Sequence, residues 1–325
     1  MYKSPWSFIA ALVMSIALIG CNGQHDKVVL KLGHTLDTAH PVHKGMLIMA
    51  ERLAEISGGT MQIDIYPSGQ LGSERELMEL LQIGSLAMTK VSTSPMESFV
   101  PEMKIFSLPY VFRDEDHFWR VLNSPLGKQL LVSGESVRLR GLTYYDAGAR
   151  SFYTTEKAIN TPADLKGMKI RVQKSQTSVE MIAALGGSAT PISWGELYTA
   201  LQQGVVDGAE NNPPSFYRSK HYEVSRYFIL DEHTFVPDLL IISTHIWQGL
   251  TPQQQAWLQQ AADESLVTQR QLWAEDTKLA LDEIEKAGVE IIHPDKSEFS
   301  AKVQAMLKAQ AGTPVGALLD QIQAM

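Results

Sequence analysis

Two arginines carry the most chemical information in this sequence. Arg171 lies within Lys169-Ile170-Arg171-Val172, a short apolar run with strand character. Strand alternation sets it on the face opposite Ile170 and Val172. A guanidinium does not shed its charge, so it needs a partner there: a carboxylate of the fold or an anion from outside. Arg150 follows Gly148 at a predicted strand end, where open α/β sheets place ligand-contacting groups. Asn211, in Asp207-Gly-Ala-Glu-Asn-Asn-Pro213, sits where a strand runs into a turn. Its amide can serve a ligand or the turn itself. Trp194 stands just after the helix-capping Ser193, available for core packing or as a flat wall over a ligand.

Other chemistries are poorly served. No G-x-S-x-G elbow, phosphate-cradling glycine loop, G-x-G-x-x-G or H-E-x-x-H occurs. Cys21 is the only cysteine, so no internal Cys-His nucleophile and no internal disulfide can form. His40-Pro-Val-His43 has the spacing of polar residues around a helix start, and no metal or other cofactor is expected. With 28 basic and 36 acidic side chains the formal charge is −8. That balance argues against a nucleic-acid partner and requires any anionic ligand to be held by a few local cations.

The elements that must position these residues follow from the pattern. Lys3 precedes an apolar stretch, Phe8 to Ile19, of signal-peptide length and too short to span a bilayer. Leu18-Ile-Gly-Cys21 resembles a bacterial lipobox, in which the cysteine is lipidated and becomes the new N-terminus. Val28 to Leu32 alternates as a strand. Pro41 opens a helix with Val42, Met46, Met49, Leu53 and Ile56 on one face, stopped by Gly58-Gly59. Met61, Ile63 and Ile65 form the next strand, and Ser73 caps a helix running to Gly84. This β-α-β-α opening predicts an α/β lobe with parallel pairing.

A second α/β lobe follows. Its expected elements are a strand over Met168–Val172, a helix over Ser175–Leu185, a helix from Ser193 to Gln203, and strands over Val205–Ala209 and Leu239–Ser243. Thr251-Pro252 starts a segment free of Gly and Pro up to Ala287. As a helix this is a rod of about 50 Å, longer than one lobe is wide. Its apolar residues keep no strict heptad, so it is expected to brace both lobes rather than form a coiled coil. A strand over Val289–Ile292 and a last helix over Phe299–Leu307 complete the chain.

Taken in order, five stretches resemble the TRAP-transporter solute-binding proteins of the DctP type. They are Tyr66-Pro-Ser-Gly-Gln-Leu-Gly-Ser-Glu-Arg75, Phe106-Ser-Leu-Pro-Tyr-Val-Phe112, Asp164-Leu-Lys-Gly-Met-Lys-Ile-Arg-Val172, Thr190-Pro-Ile-Ser-Trp-Gly-Glu-Leu-Tyr-Thr-Ala-Leu-Gln202 and Gly204-Val-Val-Asp-Gly-Ala-Glu-Asn211. The resemblance covers nearly all of the chain after residue 27. It implies a two-lobed periplasmic binding-protein fold that closes on its ligand like a trap, with one long bracing helix. In that frame residues 1–20 are a lipoprotein signal peptide and 21–27 a spacer. The first lobe is 28–147 plus 237–276, and the second is 148–236 plus 277–325.

The resemblance also implies roles. Arg171 matches the strand arginine that grips the ligand carboxylate, where a planar fork meets a planar anion better than lysine does. Arg150 matches a second cleft arginine, Asn211 the ligand amide and Trp194 an aromatic wall. Asn212 replaces the proline usual after that Asn, which bears on the direction of the Asn211 side chain. Glu74 matches an acidic contact position; it accepts bonds from hydroxyls but repels a second ligand carboxylate unless something offsets it. His34, in Leu32-Gly-His34, is similar to the uronate-binding members. Ser92 stands where sialic-acid binders carry an acidic residue, which counts against sialic acid. A hexuronate or related sugar acid is therefore expected, its hydroxyls read by Glu74, His34, Asn211 and Asp238, with a C4-dicarboxylate as the alternative. The implied partners are that small carboxylate and the TRAP membrane permease subunits, the chain meeting the membrane only through a lipid anchor at Cys21. An extracytoplasmic sugar-acid-processing enzyme is the alternative from another class.

Overall fold

The computed structural model describes residues 27–325, so the expected signal peptide, Cys21 and most of the expected spacer lie outside the described residues. The first strand, β1 (Val28–Gly33), buries Leu30 and Leu32 while Val29 and Lys31 point to solvent, as alternation requires. The helix Pro41–Ile56 puts Val42, Met46, Met49 and Leu53 fully out of solvent. It ends at Gly58 and Gly59, both with positive φ. After β2 (Met61–Tyr66), the helix Glu74–Gln82 starts from a capping box between Ser73 and Glu76. β3 (Met88–Ser92) and β4 (Leu139–Tyr145) follow.

In the second half come β5 (Ala149–Thr154), β6 (Lys169–Val172), β7 (Ser188–Pro191), β8 (Gly208–Asn211) and β9 (Tyr227–Phe235). β10 (Asp238–Ser243) and β11 (Glu290–Ile292) are the last strands. They build two sheets, ordered β2-β1-β3-β10-β4 and β11-β9-β5-β8-β6-β7. Helices cover both faces of each. Along β10, Leu239 and Ile241 enter one core while Leu240 and Ile242 enter the other. Phe152 and Tyr153 divide in the same way between the two cores of the second sheet. A strand covered on both faces is buried throughout, which is why β10 reads as a continuous apolar run.

The expected parallel pairing holds for the opening β-α-β-α unit but not for the whole sheet. β1 pairs parallel with β2 and β3, but β10 is antiparallel to both β3 and β4. β5 likewise runs antiparallel to β8 and β9. The strands that return the chain from the opposite sheet enter their own sheet in reverse. A second correction concerns β8, which starts at Gly208 rather than Val205. After Gly204 the N–H groups of Val205 and Val206 fold back to the Ala200 carbonyl, and Asp207 N–H bonds to Lys169 O, so pairing begins only beyond them. Thirdly, the chain ends in two helices, Lys296–Lys308 and Pro314–Gln323. Val315, Leu319 and Ile322 of the final helix join the core of the first lobe, so residues 277–325 do not all belong to the second.

The long helix spans Pro252–Lys286. Its N-terminal half lies against Pro41–Ile56, with Arg52 paired to Glu264 at 2.5 Å, and against β4 through a Tyr145–Ser265 hydroxyl bond of 2.7 Å. Its C-terminal half pairs Asp276 with Arg218 of the helix Pro213–Arg218 and buries Ile284 in a second-sheet core. The helix therefore braces both lobes. At the crossing, Gly45 approaches so closely that an added Cβ would lie 2.7 Å from Gln269 Cγ.

Candidate ligand-binding site

The two sheets face each other across a cleft of about 460 Å³, lined from the first lobe by Glu74, Lys90, Ser92 and Asp238 and from the second by Arg150, Arg171, Trp194 and Asn211. Register explains these positions. In the second sheet Arg171 lies opposite Ala209, and Asn211 lies opposite Ser151, next to Arg150. In the first, Asp238 is the antiparallel partner of Ser92, and Lys90 shares the Ser92 face two residues upstream.

Arg171 is 2 % exposed and has no carboxylate partner among the described residues. Its Nε donates to the Ile192 carbonyl at 2.9 Å, while Nη1 is buried without any hydrogen-bond partner. The guanidinium sits 5.9 Å from the ring centre of Trp194, on whose face it gains a cation–π contact. Burial pulls its pKa down, against the opposing fields of Tyr153, Glu210 and Glu74. A buried cation in this state is costly, and a planar carboxylate of a ligand relieves that cost through charge-assisted bonds.

Arg150 is different: the protein itself supplies its counter-charge. Nε and Nη2 form a fork onto the Glu210 carboxylate, Nη2 also reaches the Glu210 carbonyl at 2.8 Å, and Nη1 donates to Asn211 Oδ1 at 2.9 Å. Behind Glu210, His233 Nε2 lies 3.6 Å away and its Nδ1 bonds Asp231 at 2.8 Å. Burial disfavours the imidazolium, but the fields of Asp231 and Glu210 prevail and hold the His233 pKa up at about 9. Burial likewise opposes ionised Glu210; Arg150 and His233 outweigh it and bring the pKa to about 2. The expected carboxylate contact of Arg150 is thus largely spent inside the protein, and what it offers the cleft is one remaining N–H and a fixed Asn211. That asparagine accepts at Oδ1 from both Arg150 and the Asn212 N–H, the latter at 2.9 Å, leaving its Nδ2 amide for a ligand. The departure at Asn212 is therefore informative. A proline there would lack the N–H that fixes Asn211, and Asn212 also caps the following helix through Ser215 N–H and ties it to Ala147 O.

On the first lobe, Lys90 was not singled out by the sequence, yet it is central. Its Nζ bonds Glu74 Oε1 at 2.9 Å and Asp238 Oδ1 at 3.2 Å, and the residue is only 2 % exposed. Burial alone lowers an ammonium pKa, but Asp238 and Glu74 more than offset it and raise it. Ser92 Oγ donates to Asp238 at 2.7 Å and its N–H reaches Glu74 at 3.3 Å, so Ser92 fixes the two carboxylates. A lysine one residue after Thr89 and one before Val91 in a short strand reads as an exposed position; only pairing on both sides reveals that all five residues are buried.

His34 does not line the cleft. Its Nδ1 accepts from Leu36 N–H at 3.2 Å and its Nε2 meets His43 Nδ1 at 2.9 Å, so both ring nitrogens are used in holding the loop whose Thr35 and Leu36 do line it. Its expected hydroxyl contact is thereby corrected to a supporting role. His40, the partner of His43 in the sequence motif, turns instead to Ser215 Oγ at 3.2 Å, joining the two lobes. Among the described residues no group of three or more His, Cys, Asp or Glu is placed to hold a metal ion, and no helix is long and apolar enough to cross a membrane.

Comparison with known proteins accords with this geometry. A TRAP periplasmic solute-binding protein from Bradyrhizobium sp. BTAi1, solved with α/β-D-galacturonate, superposes with a TM-score of 0.89 at 38% identity, over 91% of this chain and 99% of that one. Another from Anaerococcus prevotii DSM 20548, with bound α/β-D-glucuronate, gives 0.89 at 35%, over 92% and 98%. The C4-dicarboxylate-binding periplasmic protein DctP of Rhodobacter capsulatus is 28% identical over 302 residues, 93% of this chain and 90% of that protein. The DctP description, bacterial extracellular solute-binding protein, family 7, matches residues 32–313. Two sheets braced by one helix, a cleft with an unpaired buried arginine and a match of that length lead to one conclusion: the chain belongs to the DctP family of extracellular solute-binding proteins, the binding components of TRAP transporters.

Proposed function

We propose that the cleft captures a hexuronate of the galacturonate or glucuronate kind and presents it to a TRAP permease without altering it. The observation that carries this reading is Arg171, a buried guanidinium with an unpartnered Nη1 beside the flat face of Trp194. The ligand carboxylate meets Arg171, the sugar ring lies along Trp194, and its hydroxyls donate to Glu74 and Asp238 and accept from Asn211. Because these groups come from both lobes, the ligand makes all its contacts only when the lobes close, and it shifts an open–closed equilibrium by that difference in affinity. The uronates bound in the two structural relatives support the same ligand class. The lipobox-like Leu18-Ile-Gly-Cys21 supports anchoring of the exported protein by lipid at Cys21, checked by acyl labelling that Cys21→Ser abolishes.

Thermal unfolding of the protein lacking residues 1–21, against a panel of uronates, aldonates, dicarboxylates and sialic acid, tests the ligand class. Binding to the native state raises the midpoint by mass action. A rise with uronates that disappears in Arg171→Ala, with the sugar recovered chemically unchanged, is the expected result. A rise only with succinate or malate transfers the protein to the dicarboxylate binders, and appearance of a product makes it an enzyme.

A further inference from the structure

The Glu74–Lys90–Asp238 cluster is built unlike the opposite wall, and the difference has a consequence for selectivity. Lys90 Nζ is shared between two carboxylates, at 2.9 and 3.2 Å, and Ser92 is bonded to both of them. Two carboxylates against one ammonium leave the first-lobe wall with one net negative charge. Across the cleft, Arg171 has no carboxylate of its own, while Arg150 is balanced by Glu210. The cleft is therefore polar along its length, with one uncompensated positive end and one uncompensated negative end. Glu74 is close enough for its field to reach Arg171, and Asp238 for its field to reach Arg150.

We propose that the Glu74–Lys90–Asp238 cluster determines specificity: two carboxylates around one ammonium leave this wall with one net negative charge, so that the cleft accepts sugar monocarboxylates and rejects the corresponding sugar diacids. The proposal rests on the uronate reading of the same cleft. With the carboxylate of a hexuronate on Arg171, the other end of the sugar carries hydroxyls, which donate to Glu74 and Asp238. Lys90 donates only two of its three N–H groups to these carboxylates and keeps the third for a hydroxyl oxygen. A hexaric acid has the same carbon chain but ends in a second carboxylate. That group brings no donor to Glu74 and Asp238 and sets like charge against like charge in a buried site. Lysine is needed rather than a neutral donor, because two bare carboxylates could not share this small buried wall.

The test is isothermal titration of the protein lacking residues 1–21 with D-galacturonate and with galactarate, the matching diacid. The wild type is expected to prefer galacturonate by about 100-fold or more, since a like-charge contact of this kind costs several kcal/mol. Glu74→Gln keeps the shape and removes one charge, and is expected to shrink that preference by about tenfold or more; Glu74→Gln with Asp238→Asn makes the wall positive and shrinks it further. Should Glu74→Gln fail to fold, Asp238→Asn alone tests the same charge, because Lys90 holds both groups. An unchanged ratio in a folded variant, or a wild type that binds galactarate as tightly as galacturonate, overturns the charge assignment while leaving the uronate reading intact. A wild type that binds neither overturns both.

Discussion

Arg171 and Arg150 are both buried arginines of the second sheet, yet opposite behaviour is expected of them. Arg171 carries an unsatisfied charge in the fold, so Arg171→Met is expected to leave the ligand-free protein as stable as the wild type or more stable, while uronate binding falls by about 100-fold or more. Arg150 forks onto Glu210, and Arg150→Met strands a buried carboxylate. A loss of about 3–5 kcal/mol in denaturant unfolding is expected for it, typical of a broken buried pair. Equal losses of stability in the two variants would contradict the assignment of Arg171 as the ligand's partner. The sequence marked both residues without separating them, because the partner of Arg150 lies on β8, some sixty positions away, and only sheet pairing brings it alongside.

At the scale of elements, the long helix rests on an unexpected seam. Of its apolar residues Trp257, Ala261, Leu266, Leu272, Leu279 and Ile284, Ala261 and Ile284 are buried while Leu279 is 42% exposed. The buried line runs through Leu258, Ala261, Ala262, Ser265, Gln269, Trp273, Asp276, Ala280 and Ile284. Small and polar residues appear there because the helix crosses backbone and hydrogen-bonds to it. Gln269 accepts from Asp146 N–H at 2.8 Å and donates to Asp146 O at 2.9 Å, clasping the crossover between β4 and β5. Gln269→Ala leaves two buried backbone groups unpaired, and about 1–3 kcal/mol of stability is expected to be lost in urea unfolding. A null effect would mean that the crossover is held elsewhere.

Across the whole molecule, stability is expected to peak near neutral pH and fall on both sides. His34 and His221 are buried and neutral, each with a pKa lowered to about 3: burial is the main cause in both, reinforced by His43 and Lys90 at His34 and by Arg171 at His221. The unfolded chain binds more protons than the native one between these values and the ordinary 6.5, so their contribution is present above pH 6.5 and lost as pH falls. His233 has the opposite sign. Its pKa is raised to about 9, so its contribution is complete below pH 6.5 and is lost as pH rises through 9. Thermal midpoints measured from pH 4 to pH 10 without ligand check the shape; a midpoint still climbing past pH 9 would contradict the ionised His233–Glu210 pair.

By itself the sequence determined what local periodicity and residue chemistry control. The helix Pro41–Ile56, the Ser73 cap, the long helix and the strand arginine at 171 all follow from spacing, capping and the permanence of a guanidinium charge. The ordered motifs carried the family as well. Only the tertiary structure decided the antiparallel returns of β5 and β10, the docking of the last helix on the first lobe, the supporting place of His34, and the inclusion of Lys90 in the cleft. Those are questions of which distant backbones lie side by side. A charge three residues inside a strand looks the same in sequence whether its partner is water, a neighbouring strand or a ligand; burial and pairing alone distinguish them.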